Sequence, residues 1–372
     1  MADAFSRRQF LRASAMLGGA AAFGVMLPRR ATASGTLEVP VIDKLNVRVM
    51  VDAAFDNFFK PQQVNGVSVA SGRSVMNYRR SLHNEWGLSL WLESQMADQQ
   101  RTMLLDYGYT PDVLANNMEL MGVDPSKIDA LIISHGHHDH YGGMLGFLER
   151  FGDKLSPDMT LYAGGEDNFC HRVNRTGTPG QFTDYGTLDR REIARHKITI
   201  VLAEQPVVIA GQAFTTGIIK RNSFEKVLPN SLVEFGMKDG MGCDAARYVS
   251  AELVGKTVPD EHLHEHATCF NLKGKGLVVI SSCGHTGIVN SVRQAQEVSG
   301  IEKVHAIMGG FHLGGAPKDY LVQVVSEIKK LKPDVIIPMH CSGQNFVDEA
   351  KVQMPGNLLL STTGSRISFV GA

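Results

Sequence analysis

The chain has 372 residues, of which 43% are hydrophobic and 20% are charged. These proportions are ordinary for a globular protein, and the length suffices for one large domain or two modest ones. The formal net charge of −1 provides no basic excess, so we expect no nucleic acid partner.

The N-terminal segment, residues 1–33, differs in composition from the rest of the chain. SRRQFLRA at 6–13 carries paired arginines, and a run of small and apolar residues follows at 13–27. Ala31 and Ala33 then fit a small-x-small cleavage site. The run is too short to span a bilayer. We therefore expect 1–33 to be a removed twin-arginine signal that the Tat export machinery reads, and the mature protein to be periplasmic, without a membrane span.

Strands and helices alternate in the first half of the predicted structure. The predicted strands lie at 45–54, 87–94, 101–108, 128–134 and 159–165, and the predicted helices at 110–125 and 142–152. The second and third strands are separated only by polar residues at 97–100, which favours a hairpin.

The second half repeats this alternation after two polar stretches that we expect to be loop insertions, around 164–198 and 222–261. The predicted strands lie at 197–204, 206–211, 213–219, 267–272, 275–285, 303–310 and 333–343, and the predicted helices at 288–298 and 320–331. Buried strands that alternate with helices predict an α/β fold. Two similar halves indicate two facing sheets with helices outside, and a site where the strand ends meet.

The segment SHGHHDHYGG at 134–143 concentrates potential metal ligands directly after a predicted strand. In extended or turning backbone, His135 and His137 place both imidazoles on one side, where they can hold one metal ion. Asp139 and His140 follow at the start of the next helix and can turn toward a second ion. Imidazole nitrogen and carboxylate oxygen suit zinc, iron or manganese.

The pattern H-x-H-x-D-H within 134–143 resembles the signature of the metallo-β-lactamase superfamily. For residues 34–372 the resemblance implies a four-layer αββα fold, in which two facing mixed β-sheets are covered by outer helices. LLDYG at 104–108 resembles the early L-x-D-x-G element of that superfamily. This similarity implies that Asp106 orients a ligand histidine rather than binding a metal itself.

Further segments are similar to one subgroup of the superfamily, typified by the ribofuranosylaminobenzene 5'-phosphate synthase of methanopterin biosynthesis. These segments are TTGIIKRNSFE at 215–225, GLVVISSCGHTGIVN at 276–290, MGGFHLGG at 308–315 and PMHCSG at 338–343. The similarity runs, with gaps, from about Leu45 to the C-terminus.

The resemblance implies that the remaining ligands come from the second half. His285 is the candidate for the first ion and His340 for the second, because each follows an apolar strand. Where most of the superfamily has a bridging Asp, this chain has Cys283, which either binds as a thiolate or is a buried residue that binds no metal. HLHEH at 262–266 offers three histidines and a glutamate as further candidates, although each also fits an exposed charged turn.

The expected activity is that of a metal-dependent hydrolase, in which two divalent ions, zinc or else iron or manganese, activate water for attack on a small ester, lactone, amide or phosphate ester. Asp139 is the catalytic candidate, because it can orient that water. Lys220 and Arg221 are candidates for binding an anionic group of a small-molecule substrate. His312 is a candidate proton donor beside a glycine-rich anion-binding turn.

Three other functions remain open from the sequence. The same fold hosts iron-dependent oxidoreductases, and the subgroup implies a synthase or transferase acting on a phosphorylated precursor. A protein that only holds metal is the third alternative. Export argues against the synthase, because phosphorylated pterin precursors are made inside the cell. The oligomeric state does not follow from the sequence.

The cysteines argue against a disulfide framework, because their number is odd and their spacing irregular, although one disulfide stays open. They are Cys170, Cys243, Cys269, Cys283 and Cys341. We also expect the loop at 164–198 to contribute part of a lid through His171, Arg172 and Arg175.

Overall fold

The computed structural model describes residues 36–228, 231–244, 246 and 248–372. The predicted export signal at 1–33 lies outside these residues. Within the described part, no helix combines the length and hydropathy that crossing a membrane requires.

The described residues form 22 strands. They are β1 (Val41–Ile42), β2 (Lys44–Val51), β3 (Gln62–Val64), β4 (Val67–Ala70), β5 (Ser89–Met96), β6 (Gln99–Leu105), β7 (Ala130–Ile133), β8 (Thr160–Ala163), β9 (His171–Arg175), β10 (Phe182–Gly186), β11 (Thr199–Leu202), β12 (Val208–Ile209), β13 (Ala213–Thr215), β14 (Ser231–Glu234), β15 (Met237–Lys238), β16 (Met241–Gly242), β17 (Thr257–Pro259), β18 (Thr268–Leu272), β19 (Gly276–Ser281), β20 (Val304–Gly310), β21 (Val335–Met339) and β22 (Arg366–Val370).

Helices connect and cover these strands. They are α1 (Pro111–Met121), α2 (His138–Tyr141), α3 (Met144–Phe151), α4 (Arg190–Arg195), α5 (Ile288–Ser299), α6 (Lys318–Lys330) and α7 (Gln344–Gln353). The start of α1 has Pro111 in its first turn, and the helix ends where Gly122 adopts a left-handed conformation with φ of 63°. Both residues are typical of those positions.

Two large mixed sheets form the centre of the molecule. The first has nine strands in the order β11-β8-β7-β6-β5-β2-β22-β4-β3. The second has seven strands, ordered β12-β13-β18-β19-β20-β21 with β1 beside β18. A four-stranded sheet, β10-β9-β14-β17, and a two-stranded sheet, β15-β16, complete the described part.

The two large sheets face each other across a shared apolar core. Val47 and Leu90 of the first sheet share one buried cluster with Val278, Met308 and Ile337 of the second. Because side chains alternate between the faces of a strand, the neighbouring residues point to the outer layers. The predicted facing arrangement is therefore confirmed.

Helices cover the two outer faces. Leu114 of α1 belongs to one cluster with Leu131 of β7, and Val289 of α5 belongs to another with Val279 of β19. The layers therefore run helix, sheet, sheet, helix, as the resemblance implies.

The carboxyl ends of parallel strands from both sheets adjoin at one edge. Strands β6 and β7 run parallel in the first sheet, and β19, β20 and β21 run parallel in the second. The ring centroids of His135, after β7, and His285, after β19, lie 4.9 Å apart. This edge therefore collects side chains from distant parts of the sequence.

The prediction of loops at 164–198 and 222–261 is wrong. The first stretch contains β9, β10 and α4, and the second contains β14 to β17. Strands β9 and β14 pair antiparallel across the two insertions. These strands were not predicted, because their polar residues do not show the alternating hydrophobic pattern of a strand. They also pair with segments that are far away in the chain.

The assignment of the predicted strand at 197–204 to the second half also needs correction. Its ordered part, β11, pairs parallel with β8 and extends the first sheet. Strand β22 and helix α7, which were not predicted, follow near the C-terminus, and β22 lies between β2 and β4. Each half of the chain therefore contributes to the first sheet.

A single disulfide joins the two insertions. Cys170 and Cys243 are bonded and lie 73 residues apart in the chain. The remaining cysteines, Cys269, Cys283 and Cys341, are unbonded and buried. The five cysteines therefore form one disulfide, which the sequence analysis left open, and not a framework of several.

Candidate metal centre

The histidines predicted from both halves come together at the shared sheet edge. The ring centroid of His135 lies 4.7 Å from that of His137 and 4.9 Å from that of His285. The ring centroids of His140 and His340 lie 5.0 Å apart. All five side chains are buried, so the edge encloses a polar cluster inside the protein.

The first group of ligand candidates is formed by His135, His137 and His285. Nε2 of His135, Nε2 of His137 and both ring nitrogens of His285 are buried without a hydrogen-bond partner among the described residues. Buried polar atoms normally have such a partner, because leaving them unpaired costs about 1–3 kcal/mol each. A metal ion is the partner that satisfies several imidazole nitrogens at once, so these residues fit one.

The second group contains Asp139, His140, His340 and Cys283. Nε2 of His340 lies 3.3 Å from Oδ2 of Asp139 and 3.3 Å from Nε2 of His140. Potential ligand atoms of His140, Cys283 and His340 all lie within 4.8 Å of one another. Nitrogen, oxygen and sulfur ligands in this number suit zinc, and iron or manganese less closely.

Asp106 occupies the predicted supporting position. Its Oδ2 accepts hydrogen bonds from Nδ1 of His140 at 2.7 Å and from Oγ of Ser134 at 2.7 Å. Oγ of Ser134 lies 3.0 Å from Nδ1 of His135 and is free to accept from that nitrogen, because its own proton goes to Asp106. Each histidine then carries its proton on Nδ1 and keeps the Nε2 lone pair for a metal.

The three histidines and the glutamate of HLHEH at 262–266 are buried, whereas Leu263 is exposed, so the interpretation of the four candidates as an exposed charged turn is wrong. His262 stacks on His285 with ring centroids 3.9 Å apart, and its ligand atom lies within 4.8 Å of those of His137 and His285. His262 is therefore the candidate in this segment that faces the first group.

The other three candidates in this segment, His264, Glu265 and His266, contact backbone N–H or carbonyl groups instead. Nε2 of His264 accepts a hydrogen bond from the Gly136 N–H, and Nε2 of His266 lies 2.9 Å from the carbonyl oxygen of Ile133. Glu265 accepts hydrogen bonds from the N–H of His285 at 2.9 Å. Three histidines at alternating positions directly before a buried strand were the sequence signal that could have favoured burial.

A buried ion pair between Arg172 and Asp260 contacts the first group of ligand candidates. Nε of Arg172 donates to Oδ2 of Asp260 at 2.6 Å, and both residues are buried. Oδ2 of Asp260 lies 3.8 Å from Nε2 of His137, and Oδ1 accepts from the His262 N–H at 2.9 Å. The sequence reasoning missed Asp260 and placed Arg172 in a lid, whereas the structure buries its side chain completely.

The remaining lid candidates and two of the substrate candidates pair with other residues of the protein. His171 pairs with Asp184 at 2.8 Å, and Arg175 contacts the ring of Phe182. Lys220 forms an ion pair with Glu297, and Arg221 forms one with Glu261. Their role in binding a substrate anion stays a prediction, and such binding would have to compete with these ion pairs.

His312, the candidate proton donor, lies beside the ligand groups. Its ring centroid is 4.0 Å from that of His285, and its Nδ1 is 3.4 Å from Sγ of Cys283. Sγ of Cys283 in turn lies 3.1 Å from Sγ of Cys341.

Backbone conformation is unusual at this edge. Asp106, His262, His312 and His340 have φ angles of 58°, 49°, 49° and 47°. Side chains other than glycine rarely adopt this left-handed conformation, which costs about 1–3 kcal/mol and recurs at functional sites. Strain in four neighbouring loops indicates that these loops are shaped for a site rather than for stability.

Gly142 and Gly143 follow the histidine motif and allow close packing there. Both have ordinary right-handed φ angles, so they are not needed for backbone freedom. A Cβ on Gly142 would lie 2.2 Å from the Tyr109 carbonyl oxygen, and one on Gly143 would lie 2.2 Å from that of Tyr107. Glycine therefore allows α2 and α3 to approach the loop after β6.

Electrostatics favour a cation at this edge. Burial, together with the neighbouring histidines, lowers the pKa of His135 and of His285 well below the usual range, which keeps both imidazoles neutral and able to bind metal. Burial by itself would lower the pKa of His340, yet the negative charges of Cys341 and Asp139 raise it to about 9. The site therefore attracts positive charge.

Comparison with known proteins gives matches to one superfamily. The sequence model of the Metallo-beta-lactamase superfamily matches residues 94–167, which include the motif at 134–143. The chain is 28% identical over 281 residues to the 7,8-dihydropterin-6-methyl-4-(beta-D-ribofuranosyl)-aminobenzene-5'-phosphate synthase of Methanocaldococcus jannaschii. That alignment covers 74% of this chain and 88% of the synthase.

Two further similarities extend over most of the chain. An uncharacterized protein of the same organism is 27% identical over 274 residues, which cover 72% of this chain and 89% of that protein. Among solved structures, the chain is similar to Tm1679, a metal-dependent hydrolase of the beta-lactamase superfamily, with a TM-score of 0.61 and 20% identity. This match covers 87% of our chain and 98% of the other, and it supports the fold.

Proposed function

Since this chain belongs to the metallo-β-lactamase superfamily, we propose that it is a metal-dependent hydrolase of small ester, lactone, amide or phosphate-ester substrates. The observation that carries this proposal is the convergence of buried imidazole nitrogens without hydrogen-bond partners among the described residues around Asp139. Such a set of atoms is costly to bury unless it binds a cation.

We assign the ligands of the two proposed ions to the two groups defined by the geometry. His135, His137 and His285, together with His262, would hold the first ion, and Asp139, His140, His340 and Cys283 would hold the second. Potential ligand atoms of His137, His262 and His285 lie within 4.8 Å of one another, and those of Cys283 lie as close to His135 and His285 as to His140 and His340. When bound, two divalent ions supply Lewis acidity that lowers the pKa of water and stabilises negative charge on a carbonyl or phosphoryl oxygen.

The protein's own groups position the reactants. Oδ1 of Asp139 has no hydrogen-bond partner among the described residues, so it is able to accept a hydrogen bond from a water molecule and orient it. Asp106 holds the ring of His140 in place through Nδ1. His312, at the rim of the site, is able to donate a proton to a leaving group.

A cleft of about 470 Å³ opens beside His340 and offers space for a small substrate. Asp52, Phe58 and Lys60 are among its lining residues. The ring of Trp86, which is 54% exposed, lies 4.9 Å from that of His340. Lys60 is therefore a further candidate for binding an anionic substrate group.

The test combines metal content with turnover. Protein purified without chelators is assayed against a panel of esters, lactones, amides and phosphate esters, before and after metal removal and zinc addition. We expect turnover of at least one class, its loss on metal removal and its recovery with zinc. His137→Ala is expected to lower turnover by a factor of about 100 or more, whereas the exposed control His83→Ala is expected to leave it unchanged.

The hydrolase proposal fails if no metal restores turnover of any class, or if His137→Ala retains full activity. Iron content with visible absorbance, and turnover that depends on a redox partner, would favour an oxidoreductase of this fold instead.

A second candidate function, a synthase acting on a phosphorylated precursor, is favoured by the 28% identity to the aminobenzene-phosphate synthase. Isotope incorporation distinguishes the two. A hydrolase transfers oxygen from isotopically labelled water into its product, whereas a synthase joins two substrates without that oxygen.

We further propose that the protein is exported by the twin-arginine route. Besides the segment at 1–33, the Cys170–Cys243 disulfide supports an oxidising compartment, since disulfides persist there and are rare in the cytosol. Replacing Arg7 and Arg8 by lysine is expected to leave the protein in the cytoplasm. Periplasmic recovery of this variant in wild-type amount would refute the proposal.

A further inference from the structure

Three loops with sequence motifs of their own follow three adjacent parallel strands. SSCGH begins at the end of β19, GFHLGG at the end of β20 and HCSG after β21. Because β19, β20 and β21 are parallel neighbours, their loops leave the sheet side by side. They bring Cys283, His312 and Cys341 into contact, and the proposed hydrolase mechanism gives no role to Cys341.

The contacts among these three residues form a compact set of soft ligand atoms. The sulfur atoms of Cys283 and Cys341 lie 3.1 Å apart, and Nδ1 of His312 lies 3.4 Å from Sγ of Cys283. The backbone N–H of His312 donates to Sγ of Cys341 at 3.2 Å. One ligand atom from each residue lies within 4.8 Å of the other two.

The surrounding backbone is shaped around the sulfur atoms. A Cβ on Gly310 would lie 2.3 Å from the Ser282 carbonyl oxygen and 2.8 Å from Sγ of Cys341, so only glycine allows β20 to approach both the backbone and the sulfur atom. His312 adopts a left-handed φ of 49°, which turns its ring toward the thiols at a cost in backbone energy.

Buried carboxylates surround the histidine cluster and these thiols. Six buried carboxylates hydrogen-bond to or contact the histidine cluster: those of Asp52, Asp106, Asp139, Asp167, Asp260 and Glu265. Among the residues in contact with them, Arg172 is the buried guanidinium.

We propose that Cys283, His312 and Cys341 bind a further thiophilic divalent cation of the zinc class, beside the two proposed hydrolytic ions and sharing the Cys283 thiolate with them. Tetrahedral zinc, with Zn–S bonds of about 2.3 Å, holds two sulfur atoms about 3.8 Å apart, so the thiols need to separate by only about 0.7 Å. A cation that prefers linear coordination would require the two sulfur atoms to move much further apart. Both cysteines bind as thiolates, so any thiol proton still present is released to solvent.

Cadmium titration of the metal-free protein under reducing conditions tests this site. Cadmium is thiophilic, and thiolate coordination gives an ultraviolet charge-transfer absorbance that histidine and carboxylate ligands do not give. We expect the wild-type protein to bind about three equivalents. Cys341→Ser is expected to bind one equivalent fewer, with about half of the thiolate absorbance.

Cys269→Ser is the matched control, because Cys269 is a buried, unbonded cysteine on β18 and belongs to none of the candidate ligand groups of the described residues. It is expected to leave cadmium stoichiometry and absorbance unchanged. His312→Ala is an independent variant in the loop after β20. It is expected to weaken binding of the third cadmium equivalent by a factor of about ten or more.

The proposal is overturned if wild-type protein binds only two equivalents, or if Cys341→Ser and His312→Ala both bind cadmium like the wild type. If Cys341→Ser does not fold, the affinity measured with His312→Ala decides alone. Stoichiometry and absorbance do not depend on turnover, so a failure of the hydrolase proposal leaves this test intact.

Discussion

The carboxylate of Asp106 accepts a hydrogen bond of 2.7 Å from Nδ1 of His140. This contact joins the end of β6 to the start of α2, and it leaves Nε2 of His140 directed at Nε2 of His340, 3.3 Å away. One side chain that binds no metal thus orients a ligand candidate toward the opposite sheet. Asp106 is therefore a positioning residue, and its replacement is expected to change the affinity for metal.

Asp106→Asn is expected to weaken metal binding without abolishing it. An amide has only one acceptor oxygen for the three donors at this position, and its NH₂ group would face one of them. Loss of such an outer partner typically costs a factor of about 10–100 in metal affinity. Chelator competition with zinc measures this change. Asp112→Asn, at an exposed carboxylate on α1, is the control, and equal affinities of the two variants would contradict the assignment.

Arg172→Met is expected to destabilise the protein strongly. The substitution leaves the Asp260 carboxylate buried without its cationic partner, and breaking a buried pair in this way costs about 3–5 kcal/mol. The control is Arg101→Met, which removes a partly exposed pair with Asp129 that contributes about 0–1 kcal/mol. Chemical denaturation measures both. A cost for Arg172→Met no larger than that for Arg101→Met would refute the structural role of Asp260.

The disulfide between Cys170 and Cys243 is expected to contribute about 4 kcal/mol to stability, because it closes a loop that spans 73 residues of sequence. Thiol alkylation followed by mass spectrometry checks the pairing. In denatured protein, three cysteines should react before reduction, in agreement with the unbonded residues Cys269, Cys283 and Cys341, and all five should react after reduction. Five reactive thiols without reduction would show that the bond is absent.

Metal-free protein is expected to lose stability as pH falls below about 6.5, the pKa of an unfolded histidine. Burial lowers the pKa of His135, His262 and His285 in the folded state. Below pH 6.5 the unfolded chain therefore takes up protons that the folded chain does not, and each histidine contributes a slope of about 1.4 kcal/mol per pH unit. Stability from these residues is complete above that pH.

Three groups oppose this trend, but the histidines with lowered pKa values outnumber them. Against the effect of burial, the negative charges of Cys341 and Asp139 raise the pKa of His340 to about 9, and burial raises the pKa of Glu225. Burial raises the pKa of Asp52 to about 6, so the folded state gains at most one proton there as pH falls. Denaturation of chelator-treated protein at about pH 7.5 and about pH 5.5 measures the balance. Equal or greater stability at the lower pH would contradict the burial of neutral histidines.

The sequence predicted the parts of the fold whose signals are local. The strand before His135, the helices α1, α5 and α6, and the parallel strands of the second sheet all have clear periodicity, and each was placed within a few residues. The H-x-H-x-D-H motif likewise holds four ligand candidates within six positions, so it could be found without a structure.

Long-range relationships could not be predicted in the same way. Strand β22 was missed because its stability depends on pairing with β2, more than three hundred residues away in the chain. His262 and Asp260 lie in a stretch that is polar in sequence, and only the β9–β14 sheet and Arg172 explain their burial. The pairing of Cys170 with Cys243 depends equally on tertiary structure.

Metal content of ligand variants tests the central claim most directly, namely that side chains from both halves of the chain hold a pair of ions. Each protein is loaded with zinc, freed of excess metal and analysed for zinc per chain. We predict that His285→Ala and His340→Ala each lose about one equivalent relative to the wild type, and that the double variant loses about two. A double variant with the zinc content of the wild-type protein would contradict the account.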